Sequence, residues 1–202
     1  MSDIKNSLSL LLFLIFLFSY LAKLMILKKK HKIQANVLTK GKTDSQIRRT
    51  EAFVKSTTFI WGLMWFLLSV FEPTISYWIV PLARNEYLSG LGILIMALGL
   101  AIFIVAMISM KTSWRVGIDK STQSSLVTDG IYQLTRNPAF VGFDLMFIGL
   151  FVTYPNILTL GIAVLNIWAI HHLIVQEEKH LKETFNEEYL KYFYNTKRYI
   201  CF

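Results

Sequence analysis

Leu126-Val-Thr-Asp-Gly-Ile-Tyr-Gln-Leu-Thr-Arg-Asn-Pro-Ala-Phe140 is the polar stretch on which the reading of this chain turns. It passes a glycine at Gly130, then Tyr132, and reaches Arg136-Asn137-Pro138 directly before the sequence becomes apolar again. Asn is a favoured N-cap, and Pro is favoured at the first helical position because the N–H it lacks would be unpaired there. A helix is therefore expected to start at Pro138 and to run into an apolar phase. A helix N-terminus with an arginine beside it suits an anionic group.

The apolar phase extends in both directions. Of 202 residues, 54% are apolar and 17% charged, and the mean hydropathy is +0.47, too apolar for an ordinary soluble domain. The expected fold class is all-α, a polytopic membrane protein with about five transmembrane helices and a C-terminal amphipathic cytoplasmic helix. A net charge of +8 would suit nucleic acid, but Lys28, Lys29, Lys30, Lys32, Lys40, Lys42, Arg48 and Arg49 fall between two apolar segments, where topology accounts for them. No nucleic-acid partner is expected, whereas the lipid bilayer is. The single cysteine, Cys201, leaves no intramolecular disulfide, and its place next to last makes no prenylation box.

Residues 8–27 supply the ~20 apolar residues a spanning helix needs. They are closed by Lys28-Lys29-Lys30 rather than by the small-residue cleavage site of a secretory signal. That places the basic end in the cytoplasm and the N-terminus outside. A second span is expected over 53–71, ending at Glu72-Pro73, followed by an interfacial connection, 74–85, with Tyr77, Trp78 and Pro81. The third span, 88–110, contains Gly90, Gly92 and Gly99, which allow close helix approach. Residues 111–137 return to the cytoplasmic side with Lys111, Arg115, Lys120 and Arg136, and Trp114-Arg115-Val116-Gly117 stands at the boundary either as an anchor or as a functional arginine. The fourth span, 138–153, is short for a crossing. Tyr154-Pro155-Asn156 turns the chain into a fifth span, 157–175.

Spans four and five thus make a hairpin whose open ends bring Arg136-Asn137-Pro138 and Gln176-Glu177-Glu178 to one membrane face. Beyond it, Leu181, Phe185, Tyr189 and Phe193 recur every four residues, the stripe of an amphipathic helix lying along the bilayer or capping the site. Glu183, Glu187 and Glu188 read as its solvated face. The chain divides into a three-span region, 1–110, and a cofactor-binding region, 111–202, within one structural domain.

Leu-Val-Thr-x-Gly-x-Tyr-x-x-x-Arg-x-Pro-x-aromatic-x-Gly, Leu126 to Gly142, followed by Glu-Glu-x-x-Leu-x-x-x-Phe-x-x-Glu-Tyr-x-x-Tyr, Glu177 to Tyr192, resembles the isoprenylcysteine carboxyl methyltransferase family. Its members are membrane enzymes using S-adenosyl-L-methionine, with relatives that methylate phospholipid amines and small thiols. The likeness covers roughly the last ninety residues, and Trp114-Arg115-Val116-Gly117 is similar to a segment of bacterial members. It implies cofactor contacts from Ser124, Ser125, Leu126, Val127, Gly130, Tyr132, Asn137, Pro138, Ala139, Phe140, Glu177 and Glu178. Acceptor contacts fall to Trp114, Arg115 and Leu173, and the reacting groups are attended by Arg136, Glu177 and His172. The family's His-Pro-x-Tyr box reads Asn137-Pro138-Ala139-Phe140 here. Leu173 stands where the eukaryotic enzymes place an arginine for the substrate carboxylate, which points away from a prenylcysteine carboxylate as acceptor. Asn186 replaces a glycine, a mild change because Asn tolerates left-handed backbone.

Methyl transfer from a sulfonium needs two oriented reactants and exclusion of water rather than a protein nucleophile. Glu177 suits the cofactor ammonium, Arg136 and the helix start at Pro138 its carboxylate, and Tyr132 and Phe140 its adenine. A protonated acceptor, thiol or ammonium, also needs a base. His171 and His172, at the end of span five, titrate in the right range, although histidines there also serve as interfacial caps. His180, one turn beyond Glu177, is placed to pair with it. Adjacent histidines diverge by about 100° on a helix, so no metal is expected on His171, His172, Glu178 and His180. The expected function is a membrane methyltransferase acting on a lipophilic or small acceptor (carboxylate, thiol or amine) at the cytoplasmic face of an inner (plasma) membrane. The alternatives are a reductase of the sterol-reductase type using NADPH, for which Arg115 and Arg136 are few cations, and a non-catalytic scaffold.

Overall fold

Backbone polar groups in hydrocarbon must find partners within their own segment, so a chain of this composition is driven to helix. In the computed structural model, which describes residues 2–39, 44–118 and 125–200, five α-helices account for most of the chain: α1 Ser2–His31, α2 Ser45–Trp78, α3 Glu86–Ser109, α4 Pro138–Thr153 and α5 Ile157–Asn195. Among the described residues, extended pairing is limited to one isolated parallel bridge between Asn36 and Val116. Lys40, Lys42, Lys120, Ser124 and Cys201, all singled out above, lie outside the described residues.

Four helices, α1, α2, α3 and α5, are long and apolar enough to cross a membrane; α4 has sixteen residues, about 24 Å. Nevertheless α4 runs from the basic end of the bundle to the opposite one. At its far end the Tyr154 hydroxyl donates to Asn6 Oδ1 (3.0 Å) near the start of α1, and the Pro155 carbonyl accepts from Leu82 N (2.7 Å). The start of α4 at Pro138 and the tight turn into Ile157 agree with the sequence expectation. In that turn Asn156 Oδ1 accepts from the N–H groups of Leu158 and Thr159 (2.9 and 3.0 Å), a capping box completed by the Thr159 hydroxyl.

Three expected boundaries are corrected. Asp44 caps α2, its Oδ1 accepting from Gln46 N (2.8 Å) and Ile47 N (3.3 Å), so the helix begins well before residue 53. At its other end α2 does not stop at Glu72-Pro73 but bends at Phe71 (φ −118°, ψ 20°) and continues to Trp78. A proline inside a helix removes one hydrogen bond and crowds the preceding turn, and here the helix absorbs this as a kink. The third correction concerns α5, which replaces the expected span plus separate amphipathic helix by one 39-residue element, interrupted at Asn186 (φ 44°, ψ −121°). At 1.5 Å per residue it is about 58 Å long, far more than a hydrocarbon core. Its apolar part ends at Val175, and the polar part from Gln176 onward extends beyond the crossing length.

Close approach of α3 and α4 holds the bundle. Gly92 and Gly99 lie two turns apart on α3, Gly142 and Gly149 two turns apart on α4, and the antiparallel helices meet glycine to glycine. A Cβ on Gly99 would stand 2.6 Å from the Gly142 carbonyl oxygen, and one on Gly142 2.7 Å from that of Gly99. Gly92 and Gly149 repeat the arrangement at 2.8 Å each way. Around this seam sit Met96, Phe103, Met146 and Phe147, all without exposed surface, and Trp61 of α2 set edge-on to Phe147 at 4.8 Å. The α1–α2 contact carries a polar link in the apolar interior, Trp65 Nε1 donating to Ser9 Oγ (3.0 Å), which is 2.8 Å from Ser69 Oγ.

Because backbone atoms are the obstacle, Gly99→Ala or Gly142→Ala should force the two helices apart and cost about 2–3 kcal/mol or more. Gly90→Ala, which meets nothing within 4 Å, should be neutral or stabilise slightly. Thermal unfolding in one detergent checks both; equal melting temperatures for the three variants would contradict this account of the seam.

Candidate functional site

Two connections at the basic end are fastened together before they can enclose anything. Val37 N donates to the Val116 carbonyl (3.0 Å) and Val116 N to the Ala35 carbonyl (2.9 Å). Glu51 of α2, fully buried, accepts from Thr39 N (2.6 Å) and Ile118 N (2.8 Å). Gly117 between them has φ +93°, and a Cβ there would stand 2.9 Å from Glu51 Oε1, so both backbone and space call for glycine.

The α4–α5 hairpin does what the sequence reading expects of it: Arg136 and the acidic pair meet. Glu178, 3% exposed, takes Arg136 on one oxygen and Arg198 on the other. Its Oε1 accepts from Arg136 Nε (3.0 Å) and Nη2 (2.9 Å), and its Oε2 from Arg198 Nε (3.0 Å) and Nη2 (2.7 Å). Asn137 Nδ2 adds a third contact to Oε1 (3.2 Å). Arg136 Nη1 donates to the carbonyls of Phe193 (2.9 Å) and Thr196. Further bonds to strap carbonyls join the same two segments: Arg136 N donates to that of Lys197 (2.9 Å), and the side chains of Thr135, through Oγ1, and Asn137, through Nδ2, to that of Arg198 (2.7 and 3.2 Å). Residues 196–199 are thus a strap across the start of α4, fastened at its far end by the Tyr199 hydroxyl 2.8 Å from His171 Nδ1.

Beside this knot opens a cavity of about 730 Å³. Its polar end is walled by Tyr132, Arg136, Asn137, Glu177, Tyr189 and Tyr192, with 125–127 and the first turn of α4 alongside. From there an apolar arm runs between α1 and α2, lined by Phe13, Phe16 and Leu17 on one side and Phe59, Leu63 and Phe66 on the other. Phe59 is 71% and Leu63 48% exposed, so the arm opens sideways, where lipid would lie. Among the described residues, two buried polar atoms on the cavity wall have no partner: Trp114 Nε1 and the Tyr189 hydroxyl.

The electrostatics divide the two glutamates. Burial, then the Glu178 and Glu51 charges, push the Glu177 carboxyl up to about 7, and among the described residues no cation pairs with it. At Glu178 burial works in the same direction, but the hydrogen bonds from Arg198 and the charge of Arg136 outweigh it and hold this carboxyl below the ordinary range. Burial and the nearby Glu177 keep the Tyr132 phenol protonated far above neutrality, and its carbonyl accepts from the Tyr192 hydroxyl (2.6 Å).

Most of the sequence-derived residues share the cavity wall: Ser125, Leu126, Val127, Tyr132, Asn137, Pro138, Ala139, Phe140 and Glu177, together with Trp114, Arg115 and Leu173. Four residues are placed otherwise than the sequence reading expects. Arg136 reaches the wall, but four of its five N–H donors are taken by Glu178 and the Phe193 and Thr196 carbonyls, so it is no free anion ligand. Glu178 lies behind Arg136, off the cavity, as part of the same knot. Gly130 (φ +62°) makes the exposed turn before Tyr132 and does not touch the cavity. His172 is exposed on the outer face of α5, its Nδ1 2.9 Å from the Trp168 carbonyl, whereas the imidazole on the cavity wall is that of His180. Asn137 holds the N-cap position of α4 without capping it, because its side chain is spent on Glu178 and the strap. Sequence reasoning missed Arg198 and the phenylalanines of α1 and α2; no local pattern distinguishes these from other arginines or from lipid-facing rings.

The sequence pattern of the phospholipid methyltransferase family matches residues 87–188, half of the chain. The chain is 28% identical over 130 residues to protein-S-isoprenylcysteine O-methyltransferase B of Arabidopsis thaliana, covering 62% of this chain and 66% of that protein. It is 32% identical over 114 residues to protein-S-isoprenylcysteine O-methyltransferase of Rattus norvegicus, covering 55% of this chain and 40% of that protein. The chain thus spans about two thirds of the plant relative's length and well under half of the rat relative's.

Removing the carboxylate at the centre of the knot leaves two guanidiniums facing each other, one of them buried. Glu178→Ala should cost about 3–5 kcal/mol, against about 0.5 kcal/mol or less for Glu183→Ala or Glu187→Ala on the exposed face. Unfolding of the three variants in matched micelles measures the difference.

Proposed function

The chain belongs to the phospholipid methyltransferase family, and on that premise we propose that it is an integral membrane methyltransferase using S-adenosyl-L-methionine. The acceptor is a lipophilic or small molecule bearing a carboxylate, thiol or amine, methylated at the cytoplasmic face of the inner (plasma) membrane. The observation that carries this reading is that one cavity joins a polar end to an apolar arm open between α1 and α2. A water-soluble cofactor and a lipid-borne acceptor can meet in such a space and in few others.

The donor set fits the cofactor. Its methionyl end is a zwitterion; Glu177, which pairs with no cation among the described residues, takes the ammonium. The first turn of α4, which no side chain caps, faces the carboxylate with its N–H dipoles, and Arg136 adds positive charge behind it. Tyr132 and Phe140 pack against the adenine. When bound, the cofactor supplies a methyl group on a positively charged sulfur, and the chain's part is to orient both reactants and exclude water. Trp114 Nε1, buried and without a partner among the described residues, offers a hydrogen bond to the acceptor's polar group where the apolar arm begins. Leu173 places no cation there for an acceptor carboxylate. With Arg136 tied into the knot and Arg115 Nη1 given to the Thr112 and Trp114 carbonyls (2.8 and 2.9 Å), the cavity offers little to the extra phosphates of NADPH.

Calorimetry on purified protein should show adenosylhomocysteine binding and no comparable NADPH binding; the reverse preference would make the chain a reductase. Glu177→Gln should weaken adenosylhomocysteine by about tenfold or more, the worth of a charge-assisted hydrogen bond.

The pH dependence has a definite sign. A carboxyl pushed up to about 7 is charged above that pH and neutral below it, so affinity should fall as pH drops through 7. The Glu177→Gln variant should show no such fall.

A further inference from the structure

Building on the cofactor reading above, we propose that Arg198 in the C-terminal strap is a positioning residue: it leaves the Arg136–Glu178–Arg198 knot with one surplus positive charge at the cavity wall, and that surplus selects the carboxylate of the cofactor's amino-acid end.

The charge count is simple. Two guanidiniums share one carboxylate, each in a forked arrangement on its own oxygen. Among the described residues no second carboxylate pairs with either guanidinium. Were Glu178 paired with Arg136 alone, the pair would be neutral and the wall would present only dipoles. Arg198, bound to Oε2, balances the Glu178 charge from behind and leaves Arg136 uncompensated at the wall. The side chains of Arg136 and Glu178 are 7% and 4% exposed, so solvent screens this charge weakly; that of Arg198 is 32% exposed and off the cavity. Glu177 supplies the opposite sign at the same polar end. The site is thereby polarised for a zwitterion, negative at α5 and positive at the start of α4. Because the strap's carbonyls also hold Arg136 and Asn137, the surplus is fixed in place rather than free to swing.

The test compares two ligands with the same nucleoside: adenosylhomocysteine, which carries the amino-acid end, and methylthioadenosine, which lacks it. Both are titrated into the full chain in detergent or nanodiscs. Wild-type protein should prefer adenosylhomocysteine. Arg198→Gln should weaken adenosylhomocysteine by about tenfold or more and methylthioadenosine by less than about twofold, and Arg198→Lys, keeping the charge but losing the fork, should recover most of the preference. Loss of affinity for both ligands in equal measure would make Arg198 merely structural and overturn the proposal, as would unchanged affinity for both. If Arg198→Gln does not fold, the decision passes to Arg198→Lys: retention of the preference supports the charge argument, and its loss in a folded variant overturns it. Wild-type protein that binds neither ligand would instead refute the cofactor reading itself.

Discussion

One buried carboxylate does more than any other side chain to decide how this molecule is put together. Glu178 accepts from Arg136, Arg198 and Asn137, and so joins the start of α4, the polar part of α5 and the C-terminal strap at a single point. An ionised carboxylate is tolerated in such a place only when its lone pairs are nearly all used, and here five N–H contacts do so. The knot has a second effect: by occupying Arg136 it separates the two glutamates of the pair into one that builds and one, Glu177, that lines the cavity with no cation beside it among the described residues.

The glycine seam between α3 and α4 governs the other dimension. Helices that touch backbone to backbone leave no room for side chains between them, so Phe16, Phe103, Phe143 and Trp114 cluster at its edge and form the inner surface of the cavity. The short α4 is then held in depth as well as in lateral position, and its first turn arrives at the polar end of the cavity. Site and seam are therefore not independent: shifting the seam by one turn would carry Asn137 and Pro138 past Glu178.

Much of this was readable in the chain. Pro138 and Tyr154-Pro155-Asn156 act through local chemistry, and both ends of α4 fall where those signals put them, although Asn137 spends its side chain on Glu178 and the strap instead of capping. Asn186 has the positive φ that its replacement of a glycine suggested, but with ψ −121° it lies outside the left-handed helical region that Asn favours. Helix lengths were less legible, because whether α2 survives Pro73 or α5 continues past Val175 depends on what packs alongside. The proximity of Arg136 to the Glu177-Glu178 pair followed from the hairpin alone. Which glutamate meets the arginine did not, since neighbours on a helix point about 100° apart and the rotation of α5 is set by contacts throughout its length. Arg198 was invisible for the same reason: its partner lies across a fold of the chain that no spacing rule describes.

The sideways mouth between α1 and α2 has its own implication for supply. Phe59 and Leu63 look out of it, so whatever enters does so by diffusing within a sheet rather than through a volume. The quantity that controls filling of that arm is then a mole fraction among neighbouring lipids, not a concentration in water. Thinning the sheet with inert lipid would starve the arm, while adding buffer would leave it as full as before.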